Sequence, residues 1–284
     1  MIRNPLLSHF LFAVLAGSPL FGANYRQIDV PGSVSTNILG INSQADVVGQ
    51  YQKTVDGTHF GFLLSKGKFT DIIYPGSVLD QATGINDSGD IVGFYTDTGS
   101  NDHGFLEHEG SFTSIDFPNA STTQANGINN AGDIVGGYVD QASMWHGFVL
   151  HDGVFQSIDP PSSDFSEAYG INDQGVISGY ASYYDGTGDI DSGYVLAQGQ
   201  LKTFYVDNNV YTCVQGINNK NELVGFFDVP TLPNQGFALS RTQYVPLNFP
   251  ASIDTRPRAI NSNDVVVGWF ISAAGTMHGF VATR

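Results

Sequence analysis

The stretch Gly127-Ile128-Asn129-Asn130-Ala131-Gly132-Asp133-Ile134-Val135-Gly136-Gly137-Tyr138 decides the fold, because variants of it recur five more times along the 284 residues. Its isoleucine recurs at positions 41, 85, 128, 171, 217 and 260, with spacings of 44, 43, 43, 46 and 43 residues. A glycine follows each of these isoleucines after eight residues. Self-similarity at such a period indicates a repeat protein, here with six copies.

Each copy contains four strand-like runs, named a to d in chain order. In the second copy they span residues 82–86, 90–95, 103–107 and 112–117, and a turn or loop separates each run from the next. Short runs of β-branched and aromatic residues between turn residues are typical of antiparallel hairpins. Four such strands in about 43 residues correspond to one blade of a β-propeller.

The phase of the repeat predicts how the two ends of the chain meet. A d-type run at 25–30 precedes the first a strand, and the chain ends in a c-type run at 278–281. The last blade therefore lacks its own d strand, which the N-terminal run can supply, and such closure removes exposed sheet edges. We predict an all-β fold, a six-bladed β-propeller of four-stranded antiparallel blades closed by the N-terminal strand (Velcro), as one domain over 24–284.

The N-terminus has the pattern of an export signal. Arg3 precedes an apolar stretch over 6–16, and small residues follow. This stretch is too short to cross a membrane, and cleavage after Ala16 or Ala23 fits the small residues there. We expect residues 1–23 to be a signal peptide and the mature protein to be secreted, extracellular or periplasmic, without membrane insertion.

Charge and cysteine content limit the partners. Lys and Arg number 11 against 27 Asp and Glu, which gives a formal charge of −16. Such a chain is repelled by phosphate backbones, so we expect no nucleic acid partner, whereas cations and neutral sugars stay open. The single cysteine, Cys213, forms no internal disulfide and is expected to be a small buried residue. We expect a monomer with no cofactor.

The recurring pattern 127–138, followed by His146-Gly147-Phe148, resembles the bacterial extracellular repeats of the HAF family. The resemblance extends from residue 25 to residue 284, and it implies an exported repeat protein without an activity that transfers residue by residue. The copies at 192–194 (Ser-Gly-Tyr) and 235–237 (Gln-Gly-Phe) depart from it, because they lack the histidine.

Two repeated polar positions are candidate sites. His103, His146 and His278 each open a c strand, where they could ring one face and bind a metal or a sugar, or could simply cap a loop carbonyl. Equivalent positions in different blades lie far apart, so a shared metal is disfavoured. The asparagine after each repeated isoleucine could line the central tunnel, but a hydrogen bond to its own backbone two residues on is the favoured interpretation.

Departures from the repeat are the better places for a specific site. The b–c loop of the fourth copy is three residues longer and carries Asp185, Asp189 and Asp191, which could bind Ca²⁺ or form a solvated acidic loop. Trp145, beside His146, is the exposed aromatic candidate for stacking on a sugar, whereas Trp269 is expected in the core.

These observations favour a secreted, non-catalytic binding or surface-interaction module, whose partner is a glycan or another extracellular macromolecule. Neutral carbohydrate is the expected ligand, held by loop-borne aromatic and uncharged polar groups, and near-identical blades favour several weak equivalent sites. No catalytic motif is present in the sequence, so the expectation leans against an enzyme. An extracellular hydrolase or lactonase-like enzyme with a metal in the central channel is the alternative, and it requires carboxylates to converge at the axis. The third possible function is that of a structural protein of the envelope or matrix.

Overall fold

The computed structural model describes residues 24–184, 186, 188–206, 211–229, 232–240 and 243–283. Within these ranges the chain forms strands, turns and loops without a helix. No candidate for a membrane-crossing helix therefore occurs in them. The predicted signal peptide, residues 1–23, lies outside the described residues.

The part of the chain that the structure describes contains twenty-four strands, which follow the predicted a-b-c-d order. The a strands are β2 (Ser35–Ile41), β6 (Leu79–Ile85), β10 (Thr122–Ile128), β14 (Phe165–Ile171), β18 (Thr212–Ile217) and β22 (Ser252–Ile260). The b strands are β3 (Val47–Gln52), β7 (Ile91–Thr96), β11 (Ile134–Val139), β15 (Ile177–Tyr184), β19 (Leu223–Val229) and β23 (Val266–Ser272).

The outer strands complete each copy. The c strands are β4 (His59–Ser65), β8 (Asp102–His108), β12 (Trp145–His151), β16 (Asp189–Ala197), β20 (Leu232–Ser240) and β24 (Met277–Thr283). The d strands are β5 (Lys68–Ile72), β9 (Ser111–Ile115), β13 (Val154–Ile158), β17 (Gln200–Phe204), β21 (Gln243–Pro246) and, at the N-terminus, β1 (Asn24–Ile28).

Antiparallel sheets group these strands into an all-β propeller fold. Three sheets contain the consecutive strands β2–β5, β6–β9 and β18–β21, and a fourth has the order β1-β24-β23-β22. Strands β10 to β17 form one eight-stranded sheet, whose two halves meet through a single parallel pairing of Trp145 with Phe165. In the fourth sheet, β1 lies antiparallel to β24, with Asn24 opposite Thr283 and Ile28 opposite Gly279.

The core lies between neighbouring sheets and explains the repeated b-strand glycine. The third residue of each His-Gly-Phe element, or its equivalent, is completely buried: Phe62, Phe105, Phe148, Tyr194, Phe237 and Phe280. A Cβ added at Gly136 would lie 2.8 Å from the Phe148 ring and would collide with the carbonyl oxygen of Gln124. Glycine is therefore required wherever this ring crosses the b strand.

The a–b turns have one conformation in all six copies. The turn residue has positive φ whether it is Gly89, Gly132, Gly175, Asn221 or Asp264. Ala45, the one residue at this turn position of a type that rarely adopts positive φ, predicts a different or mildly strained turn; its φ of 64° shows the common turn in the strained form. An alanine in this region is strained by about 1 kcal/mol relative to a right-handed conformation.

The repeated asparagines link successive copies around the axis. Each Oδ1 accepts a hydrogen bond from the backbone amide four residues later in the chain. In five copies it also accepts one from the amide two residues later, as Asn86 does from Ser88. These bonds confirm the turn interpretation. Each Nδ2 also donates to the asparagine carbonyl oxygen of the next copy, at 2.9–3.3 Å. The six donors form a closed cycle: Asn42, Asn86, Asn129, Asn172, Asn218, Asn261 and back to Asn42.

Removing one member of this cycle should destabilise the protein. Asn129→Ala removes the link from Asn129 Nδ2 to the Asn172 carbonyl, which keeps only the Gly175 amide as donor, and it leaves the Asp133 amide without its acceptor. We therefore expect the free energy of unfolding to fall by about 1–3 kcal/mol. Urea unfolding measures this difference. Gln141→Ala, at an exposed loop position, is the control and should stay within about 0.5 kcal/mol of wild type. Equal stability of the two variants would contradict the role of the cycle.

Candidate functional site

An axial channel runs between the inner a strands. The end with the a–b turns is called the turn face, and the end with the b–c and d–a loops is called the loop face. At the turn face the channel mouth is rimmed by one polar residue per copy: Ser43, Asp87, Asn130, Asp173, Asn219 and Ser262. These rim residues hydrogen bond to their neighbours, as when the Asn130 side-chain amide donates to both Asp87 and Asp173.

The channel has two parts, and the repeated isoleucines contact both of them. Six repeated isoleucines line both the turn-face mouth and a second cavity: Ile41, Ile85, Ile128, Ile171, Ile217 and Ile260. The second cavity, called the chamber, has a volume of about 80 Å³ and lies towards the loop face. One side chain per copy, immediately before the repeated Gly or Ala, lines it: Leu39, Thr83, Asn126, Tyr169, Gln215 and Arg258.

Beside the chamber lies one buried carboxyl group. Glu167 accepts hydrogen bonds from Asn126 Nδ2 at 2.9 Å and from the Tyr169 hydroxyl at 2.7 Å. Burial raises the pKa of Glu167, and these two hydrogen bonds and the nearby Arg258 offset that shift only in part. Among the described residues no second carboxylate shares this environment, so the converging carboxylates that a metal-dependent enzyme requires are not formed here.

The same region holds the single cysteine. Cys213 is buried as predicted, and burial raises the pKa of its thiol to about 12. Gln215 Nε2 donates to Cys213 Sγ at 2.6 Å. The thiol is therefore protonated at ordinary pH and is not an activated nucleophile.

A continuous row of aromatic rings extends over the third to sixth copies, near the loop face. This row, called the aromatic strip, consists of Trp145, Phe165, Tyr180, Tyr211, Phe226 and Trp269. Successive ring centroids from Trp145 to Phe226 are 5.9, 5.5, 5.1 and 5.8 Å apart. The Arg256 guanidinium lies between the last two rings, at 4.7 Å from Phe226 and 4.8 Å from Trp269. Such distances are those of cation–π contacts.

Most of the strip is half-buried. Phe226 is buried, but the other five rings retain partial exposure. Trp269 is among those five, so the expectation that it lies in the core is wrong: Arg256 covers one face of its ring in place of apolar packing. Trp145 is less exposed than expected, because it packs against Phe165 and against the backbone at Gly137.

The phenol groups of this region stay uncharged. Burial, and then the hydrogen bond to Asp191, raises the pKa of Tyr180, and burial is also the largest cause of the raised pKa of Tyr211. Tyr205 lies beside the strip with its hydroxyl 3.2 Å from that of Tyr183, and burial raises its pKa too. The strip therefore combines apolar ring faces with neutral hydroxyls at any physiological pH.

In the first copy, two amides replace the Glu167 carboxyl group and the Tyr180 ring of the fourth copy. Asn37 and Gln50 face each other across β2 and β3, in the place that Glu167 and Tyr180 occupy across β14 and β15. Asn37 Oδ1 and Gln50 Oε1 are buried and have no hydrogen-bond partner among the described residues. The loop-face end of the channel is thus asymmetric, although the framework repeats.

The three predicted histidines lie in three different sheets and are not brought together. Nδ1 of each lies close to an aspartate that follows the next d strand: His103 to Asp116 at 2.7 Å, His146 to Asp159 at 2.9 Å and His278 to Asp29 at 3.0 Å. Each ring also packs on a b-strand aromatic ring. The expectation that these histidine rings cap a loop carbonyl is therefore wrong, because each ring has an aspartate carboxylate as its partner.

The predicted calcium site is only partly described. Asp185 lies outside the described residues, Asp189 is exposed opposite Tyr184, and Asp191 accepts a hydrogen bond from Tyr180. In the described ranges, no group of three or more His, Cys, Asp or Glu side chains is placed to hold a metal ion. Calcium binding by this loop stays a prediction.

Sequence reasoning missed the chamber and most of the strip. Of the strip residues, only Trp145 was a candidate site, and Phe165, Tyr180, Tyr211 and Arg256 were not considered. These sites could have been found by aligning the six copies and comparing the residues at each equivalent position, here called a column. The column before the repeated Gly or Ala changes in every copy, from Leu39 to Arg258, while the two columns after it hold Gly or Ala and then Ile in all six copies.

Comparison with known proteins supports the fold. No protein-family model matches the chain, and no curated protein matches it. Similar solved structures include a triple mutant of AofleA from Arthrobotrys oligospora (9% identity, TM-score 0.56, covering 92% of this chain and 86% of that one). They also include an Aleuria aurantia lectin mutant in complex with α-methyl-L-fucoside (10%, 0.53, 90% and 93%) and a luciferin-regenerating enzyme (11%, 0.54, 93% and 96%). At such identities the likeness shows the propeller fold alone.

The histidine–aspartate contacts should make stability pH-dependent. Burial lowers the pKa of His103, but Asp116 and then Asp97 raise it by more, so the net shift is upward. A raised pKa stabilises the fold fully below the unfolded-state value, near 6.5, and this contribution is lost as pH rises through the folded-state value. The difference in unfolding free energy between wild type and His103→Gln should therefore be larger at pH 5.5 than at pH 8.5. Urea unfolding at both pH values measures it, and a difference that grows with pH would contradict this assignment.

Proposed function

We propose that the mature chain is an exported, single-domain, six-bladed propeller over residues 24–284, closed by β1, that binds neutral carbohydrate. Six copies of the a-b-c-d order and the pairing of β1 with β24 support the architecture. The pattern of residues 1–23 supports export. The proposal is compatible with membership of the HAF repeat family.

The observation that carries the ligand class is the aromatic strip. Sugar rings present apolar C–H faces and neutral hydroxyls, so proteins hold them with aromatic faces and uncharged polar groups. The strip supplies the ring faces, and Tyr180, Tyr183 and Tyr205 supply hydroxyls beside them. Tyr184, exposed to 62%, extends this surface at the b–c loop of the fourth copy.

Asymmetry favours one main site over several equivalent ones. The first copy places Asn37 and Gln50 where the fourth places Glu167 and Tyr180. Equivalent weak sites in every blade would need the same side chains in every copy. We therefore propose a single extended site along the third to sixth copies.

Comparison supports a sugar ligand at the level of the fold. The Aleuria aurantia lectin, which has a similar fold, was captured with α-methyl-L-fucoside. A propeller of this kind can thus carry a neutral sugar, although the residues that do so here must be this chain's own. The fold is also that of a luciferin-regenerating enzyme, so the fold alone does not separate the two functions. The enzyme alternative is the weaker one because Glu167 is the one carboxyl group beside the described chamber.

A glycan array followed by calorimetry tests this proposal. Wild type should bind at least one neutral saccharide, and Trp145→Ala and Trp269→Ala should each weaken that binding about tenfold or more, since each removes a ring from the strip. Val55→Ala, an exposed side chain in the first copy, is the control and should bind like wild type. Thermal melting checks that each variant is folded.

Two outcomes would count against the proposal. If wild type binds no saccharide on the array, the carbohydrate assignment is wrong and a structural role in the envelope or matrix becomes the better account. If a saccharide binds but both tryptophan variants retain wild-type affinity, the site lies elsewhere than on the strip.

A further inference from the structure

The chamber contains a cation with no anion bound to it. Arg258 lines the chamber from β22, and its guanidinium lies 5.5 Å from the centre of the Tyr169 ring. Within the described ranges no carboxylate lies within salt-bridge distance of Arg258, and no side chain or backbone oxygen accepts a hydrogen bond from its guanidinium. Arg258 is one of only 11 Lys and Arg residues in a chain of net charge −16. Its position at the axis without a carboxylate partner therefore requires a physical reason.

The nearest carboxyl group is already engaged. The Glu167 oxygens accept from Asn126 and Tyr169, one oxygen each. Arg258 acts on Glu167 only at longer range, as a charge that partly offsets the effect of burial on the pKa of that carboxyl group. The guanidinium fork therefore keeps its donors available to a molecule in the chamber.

Gln215 presents a hydrogen-bond acceptor to the chamber, whereas Arg258 presents donors. Its side chain lines the same chamber, is only 4% exposed, and donates its Nε2 hydrogen to Cys213 Sγ. Its Oε1 is buried without a hydrogen-bond partner among the described residues. A buried acceptor left alone costs about 1–3 kcal/mol, so this oxygen calls for a donor from a bound molecule.

These groups together define a ligand class, and we propose that the chamber binds a small 2-hydroxy monocarboxylate such as glycolate. The carboxylate pairs with the Arg258 guanidinium, and the hydroxyl donates to Gln215 Oε1. A volume of about 80 Å³ suits a two-carbon acid, since an engineered cavity of about 150 Å³ accommodates benzene. The single guanidinium pairs one negative charge, which argues against phosphate, sulfate and dicarboxylates, since a second buried charge would be left unpaired.

The chamber lies towards the loop face, the same end as the aromatic strip. The proposed acid site is nevertheless independent of carbohydrate binding, because it uses Arg258 and Gln215 and no ring of the strip.

Calorimetric titration of the full mature chain with sodium glycolate, and with sodium acetate as the matched acid without the hydroxyl, tests the proposal. Sodium chloride at the same ionic strength gives the baseline. Glycolate should bind saturably with one site per chain, and acetate should bind about tenfold or more weakly. Arg258→Gln should weaken glycolate binding by about tenfold or more, and Gln215→Leu should remove the preference for glycolate over acetate.

Arg26→Gln, at an exposed position on β1, is the matched control and should bind glycolate like wild type. Thermal melting of each variant separates loss of binding from loss of fold. Absence of saturable glycolate binding to wild type, or binding that Arg258→Gln leaves unchanged, would overturn the proposal. Retention of saccharide binding by Arg258→Gln would show that the two sites are separate.

Discussion

The hydrogen bond from each repeated asparagine to the asparagine carbonyl of the next copy is the interaction on which the rest of the structure depends. It joins two turns that are about 43 residues apart, and the last donor, Asn261, returns to Asn42 across 219 residues. The same side chain holds its own a–b turn through Oδ1. Local turn geometry and inter-copy spacing are therefore set by one group, which stays buried at 3–5% exposure in all six copies.

This constant framework leaves two variable columns free to differ. One column precedes the repeated Gly or Ala and faces the chamber, and the other lies on the a and b strands near the loop face. Because the framework constrains the backbone but not these side chains, a symmetric repeat acquires an asymmetric channel. Arg258 and Gln215 mark one part of it, and the rings from Trp145 to Trp269 mark the other.

Local features of the structure were predictable from the sequence, whereas contacts between copies were not. Strand order, the turn role of the asparagines and the burial of Cys213 follow from periodicity and turn chemistry within a single copy. Trp269 was misplaced because its b-strand column holds an aromatic ring in three other copies, Phe94, Tyr180 and Phe226, and the strand pattern does not show that Arg256 covers it. Ala45 adopts the common turn because neighbouring contacts outweigh its own preference. The strip and the chamber join residues of different copies, so only the stacking of the copies brings them together.

Closure of the ring by β1 is the central claim, and disulfide trapping tests it most directly. Arg26 lies opposite Val281 in the β1–β24 ladder, so the double variant Arg26→Cys, Val281→Cys should form an intramolecular disulfide on mild oxidation. Cys213 is buried and should not compete. We expect a monomer that migrates faster on a non-reducing gel and melts at a higher temperature than the reduced form. Free thiols after oxidation, or disulfide-linked dimers in place of the monomer, would contradict closure.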